Sequence, residues 1–180
     1  SRRPARRFKC ARAASDRRAG TVVNGVIRRP GMAVSGQSAR SRRRPEFFVQ
    51  YLIAYVATAI VFLGIDALWL GVIAGKWYTR ALGHLMRESP NFAYAGAFYL
   101  VFVAGVVVLV VMPAVWSQSW PMALFYGAVL GLVAYGTYDM TNLSTLRDYP
   151  LTVAIVDIAW GTALTAVSAL AGYLAVNWLT

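Results

Sequence analysis

Four apolar runs, at about residues 47–75, 93–115, 121–138 and 151–178, constrain what this chain can fold into. The first extends from Phe47 to Gly75 with Asp66 as its only charge, and the last from Leu151 to Leu179 with Asp157 as its only charge. About 20 apolar residues cover the hydrocarbon core of a bilayer as one helix. The fold class that follows is all-α, a four-helix transmembrane bundle whose short connections suit an antiparallel up-and-down order. With 58% of residues hydrophobic and 14% charged, the chain is too apolar for an ordinary soluble domain of its size. Trp69, Trp77, Trp116, Trp120 and Trp178 fall near span ends, where amphipathic rings favour the interface. The lipid bilayer is the first partner this pattern implies.

The net charge of +11 is unevenly spread. Residues 1–45 hold fourteen of the eighteen basic side chains against one acid, Asp16, whereas the rest of the chain has four basic and six acidic residues. The division at 45/46 separates a basic N-terminal tail from a transmembrane domain, residues 46–180. The tail is rich in Arg, Ala, Ser and Gly and lacks apolar periodicity. It cannot bury enough surface to offset its chain entropy and is expected to be disordered. Its charge suits anionic headgroups, at about 1 kcal/mol per basic residue near the surface, or an organelle transit peptide. Nucleic acid is not expected as a partner, because Phe8 is the only aromatic residue there to stack on bases. The chain opens at Ser1 and its first methionine is Met32, so the alternative to a native tail is a reading frame begun too far upstream. The single cysteine, Cys10, precludes an intrachain disulfide.

The acids gain meaning on the four-span frame. Asp66 lies about 13 Å inside the end of the first span and Asp157 about 9 Å inside the start of the last, at 1.5 Å per residue. A carboxylate within a span costs about 2.5–3.5 kcal/mol even on the lenient insertion scale, so it faces a partner or a water-filled cavity and marks a functional site by default. In an antiparallel bundle the end of span one, the end of span three and the start of span four share one membrane face. Asp139 and Asn142 then stand on that face, with Tyr78, Arg80, His84 and Arg87 of the first loop and Arg147 and Asp148 of the third. The opposite connection, 116–120, carries no charge. Orientation stays open. Arg40, Arg42, Arg43 and Arg44 would hold the N-terminus in the cytoplasm, whereas Lys76, Arg80, Arg87 and Arg147 draw the polar face there if the tail is not native.

Asp66-Ala-Leu-Trp69 and Asp157-Ile-Ala-Trp160 each place a Trp three residues after an acid, on the same helix face. Gly71 and Gly161 follow, and an internal duplication would leave such a trace. Gly127 and Gly131 have the G-x-x-x-G spacing that lets two helix backbones approach closely. Pro113 is where the second span is expected to stop or bend.

These residues carry a resemblance. Asp66-Ala-Leu-Trp69-Leu-Gly71, Tyr78, Leu82-Gly83, Phe98-Tyr99 and Met112-Pro113-Ala114 come in order. The strongest stretches are Gly131-Leu-Val-Ala-Tyr135-Gly-Thr-Tyr138-Asp139-Met-Thr141-Asn142-Leu143-Ser-Thr145-Leu146 and Val156-Asp157-Ile-Ala-Trp160-Gly161-Thr162. Together they resemble the bacterial integral-membrane family called domain of unknown function 2177, over residues 48–176 and without the tail. The resemblance implies a four-helix, multi-pass protein of the bacterial inner (plasma) membrane whose members begin close to the first span. It implies no activity and no catalytic residues.

Asp66, Trp69, Tyr138, Asp139, Thr141, Asn142, Asp157 and Trp160 form the candidate lining of an intramembrane acidic pocket. The leading role for it is binding a lipid or small amphiphile. A second is a membrane-embedded lipid-modifying enzyme: Tyr138, Asp139, Thr141, Asn142 and Thr145 offer oxygen ligands, and Mg²⁺ needs only one or two carboxylates plus water or phosphate. No D-D-x-x-D run is present to strengthen it. A third is a small proton-coupled transporter, in which Asp66 or Asp157 exchanges a proton; four spans enclose little space, so a homo-oligomer is expected. Against all three stands structural pairing. Each carboxyl would bond an indole or hydroxyl of a neighbouring helix, worth about 0.6–2 kcal/mol, and Asp139 and Asn142 would end span three by satisfying its orphan backbone groups. No metal ligand set is assigned: His84 is the only histidine and no paired motif surrounds it. No cofactor fingerprint appears either, and the spans hold no histidine for a haem.

Overall fold

The computed structural model describes residues 36–89 and 91–180, with side chains from Glu46 onward. The expectation for the tail up to residue 35 lies outside them. The described elements are helices: α1 (Gly36–Leu68), α2 (Gly75–Leu82), α3 (Phe92–Val106), α4 (Met112–Trp116), α5 (Trp120–Thr145) and α6 (Leu151–Leu179). Four stretches are long and apolar enough to cross a bilayer: Glu46–Ile73, Phe92–Trp116, Trp120–Thr145 and Leu151–Leu179. The protein is an all-α, four-span membrane protein.

Among the described side chains of α1 the buried ones are Ala54, Thr58, Phe62 and Asp66, a seam recurring every four residues that faces the bundle. Phe48, Ile60, Val72 and other large apolar side chains point outward. On a soluble protein so much exposed apolar surface would be an aggregation hazard; here it is the surface that meets lipid tails. Helix α6 is enclosed along most of its length, buried at positions from Val153 to Val176. Its closest partner is α5. A Cβ on Gly127 would lie 2.9 Å from Ala166 Cα and 3.0 Å from Ala169 Cβ, and one on Gly131 would press on Gly161 O and the Thr165 side chain. The close backbone approach expected of the G-x-x-x-G pair is thus made between α5 and α6.

Apolar packing fills the end of the bundle near the uncharged 116–120 connection. Ala54, Val106, Val111, Ala123, Ala169 and Val176 form one cluster, and Phe62, Val103 and Leu164 form the next. Beyond Phe62 the polar end begins.

Two departures from helical regularity matter. Span two does not stop at Pro113. It passes from α3 through a π turn, Val107–Val111, into α4, which carries Pro113 in its first turn. Proline lacks an N–H and crowds the carbonyl four residues back, here that of Leu109; the wider π turn opens the backbone at that point. Span one likewise ends in a π turn, Trp69–Ile73, just past Asp66.

Span three corrects one expectation. Asp139 and Asn142 do not end it, because α5 continues to Thr145. The hydroxyls of Thr137, Thr141 and Thr145 donate back to the carbonyls of Val133, Thr137 and Thr141 at 2.6, 2.6 and 2.8 Å. With its hydroxyls used inside the helix, this polar stretch continues as helix.

Candidate functional site

Where the apolar packing stops, α1, α3, α5 and α6 leave a cavity of about 390 Å³. Phe62, Phe98, Phe102 and Val153 supply apolar wall, and Asp66 and Asp157 supply carboxyl groups. Tyrosines complete it: Tyr99 and Tyr135 from the spans, Tyr78 from α2, and Tyr149 from the α5–α6 connection. Tyr138 lines it as well and is 61% exposed, so the cavity reaches the protein surface there.

Each acid has one identified donor. Asp66, 5% exposed, accepts from Trp160 Nε1–H at 3.3 Å, which is long for an N–H···O bond. Asp157 Oδ1 accepts from the Tyr78 hydroxyl at 2.6 Å, and Asp139 Oδ1 from the Tyr149 hydroxyl at 2.8 Å. Asp139 is fully buried, and its Oδ2 has no partner among the described residues. Outside the spans, burial first and the bond to Asp157 second push the Tyr78 phenol above its ordinary range; burial and the bond to Asp139 do the same for Tyr149. Both phenols therefore remain donors at neutral pH.

The two Asp-x-x-Trp segments meet. Trp69 and Trp160 stack with ring centroids 4.1 Å apart and planes 13° from parallel. The Trp160 N–H reaches Asp66, whereas the buried Trp69 N–H has no hydrogen-bond partner among the described residues.

The expected residues divide into three groups. Asp66, Asp157 and Tyr138 line the cavity. Trp69, Trp160 and Asp139 do not line it; Trp160 bonds the lining residue Asp66 and stacks on Trp69. Thr141 is exposed and its hydroxyl is bonded within the helix, and Asn142 is half-buried without lining the cavity. The oxygen cluster imagined for a cation is therefore split, with Asp139 buried and Tyr138, Thr141 and Thr145 exposed. Among the described residues no three His, Cys, Asp or Glu side chains gather as metal ligands would. Sequence reasoning missed Tyr99, Tyr135 and Tyr149 as site residues. The one available signal was that each lies within a few residues of the polar face already inferred for the acids.

Fold and cavity together define a four-span integral membrane protein with acids and tyrosines gathered toward one end of its bundle. The family described as "Predicted membrane protein (DUF2177)" matches residues 51–174, well over half of the chain, and the protein belongs to that family. No curated protein and no solved structure matches it.

Proposed function

We propose that the protein binds a lipid or small amphiphile in this cavity, within a bacterial inner membrane. The observation that carries this reading is the division of the wall. Phe62, Phe98 and Phe102 suit a hydrocarbon portion, while Asp66, Asp157 and the tyrosine hydroxyls suit a polar head. A volume of about 390 Å³ lies within the range of about 300–1,000 Å³ usual for small-molecule sites. Tyr138 gives the cavity an opening from which an amphiphile could enter sideways from the bilayer.

The test is a thermal-shift titration in nanodiscs with a panel of short-chain amphiphiles, comparing wild type with Ala134→Phe. Ala134 lines the cavity, and the larger ring fills it. Saturable stabilisation of wild type but not of Ala134→Phe is expected; equal behaviour of the two proteins across the panel would remove the reading.

A proton-coupled transport reading is supported by one separate observation, the buried Asp139 Oδ2, which has no hydrogen-bond partner among the described residues. A proton taken up by that carboxyl would remove a buried charge. Reconstituted protein would then carry pH-gradient-driven flux that is lost in Asp139→Asn, and flux indifferent to the gradient would exclude it. No observation favours a metal-dependent enzyme over these two.

A further inference from the structure

The cavity's charge inventory is one-sided. Asp66 and Asp157 line it, and no Lys, Arg or His does. The basic side chains at this end of the chain, Lys76, Arg80, His84, Arg87 and Arg147, are all exposed. Among the described residues each carboxyl is met only by a neutral donor, an indole or a phenol.

An anionic head placed here would meet two carboxyls and no compensating base. A neutral head would leave Asp66 and Asp157 to their indole and phenol donors. A cation gains on two counts. Attraction between opposite charges strengthens as water is excluded, and the faces of tyrosine rings attract ammonium groups. Tyr78, Tyr99, Tyr135 and Tyr138 supply such rings in the same wall as the acids.

Resting on the amphiphile-binding reading above, we propose that the occupant is a cationic amphiphile, a protonated or quaternary amine on a short hydrocarbon portion. The amine sits between Asp66 and Asp157 with tyrosine rings around it, and the hydrocarbon lies against Phe62, Phe98 and Phe102. The two acids are then retained for charge recognition, which accounts for their presence in spans where they are costly.

Nanodiscs of zwitterionic lipid holding wild-type protein are titrated with four ligands that share one chain: hexylamine, hexyltrimethylammonium, hexanol and hexanoate. Both amines should bind at least tenfold more tightly than hexanol and hexanoate. Asp157→Asn and, separately, Asp66→Asn should erase that preference while retaining hexanol binding; two variants guard against one failing to fold. Equal affinity for all four heads, or preference for hexanoate, overturns the cationic assignment and leaves the cavity reading standing. If no ligand binds wild type better than Ala134→Phe, the cavity reading itself fails.

Discussion

Trp69 and Trp160 lie face to face, 4.1 Å apart, yet their indole N–H groups have opposite fates. That of Trp160 is bonded to Asp66; that of Trp69 is buried and has no partner among the described residues. The stack joins the end of span one to the start of span four and fixes the rotation of both acid-bearing helices.

This asymmetry predicts unequal consequences for the same substitution. Trp160→Phe keeps an aromatic face but deprives Asp66 of its indole donor. It should lower stability in nanodiscs by about 0.6–2 kcal/mol, the range for polar contacts between spans. Trp69→Phe removes a buried donor that has no acceptor, and eliminating such a group is near neutral or stabilising. Thermal unfolding of the two variants decides the matter; a Trp69→Phe loss as large as that of Trp160→Phe would mean that the Trp69 N–H has an acceptor.

The contact between α5 and α6 depends on glycine where backbones or rings leave no room. A Cβ on Gly161 would enter the ring of Tyr135, which lines the cavity, whereas one on Gly136 would meet nothing within 4 Å. Gly161→Ala must therefore displace Tyr135 or separate the helices. Overpacking of this kind costs about 1–3 kcal/mol. Gly136→Ala should leave stability unchanged or raise it by up to about 1 kcal/mol through reduced backbone entropy. Similar melting behaviour for the two variants would contradict the close approach.

Why the spans were readable and the site only half so follows from particular residues. Long apolar runs announce helices whatever their partners, so four spans were legible. The end of α5 was not, because Asp139, Thr141 and Asn142 look like a helix terminus when their hydrogen bonds are unknown. In fact the neighbouring threonines bond back to their own helix and carry it to Thr145. Asp66 and Asp157 stood out because a charge in a span is costly. Tyr99 and Tyr135 did not, since a tyrosine in a span reads equally well as packing or interface belt. Their role arises from helix rotation and crossing, which one sequence does not encode locally. Tyr149 lies in a connection, and its bond to Asp139 exists only because α5 is longer than its apolar composition suggests.

That last bond supplies a prediction with two independent readouts. Tyr149→Phe leaves Asp139, fully buried, without its one donor among the described residues. Leaving such a group unsatisfied costs about 1–3 kcal/mol, visible as a lower unfolding midpoint at neutral pH. The second readout is alkaline. Burial and the Asp139 carboxyl raise the Tyr149 phenol above its ordinary value of 10.0. For a group whose folded-state pKa is raised, the stabilisation is fully present below the unfolded value and is lost as pH climbs through the folded one. Tyr149 should therefore not titrate with the exposed tyrosines. Phenolate absorbance followed against pH should show the same amplitude near the ordinary tyrosine value in wild type and Tyr149→Phe, with the late component reduced only in the variant. A variant that instead loses amplitude near the ordinary value would show that Tyr149 is solvated and does not hold Asp139.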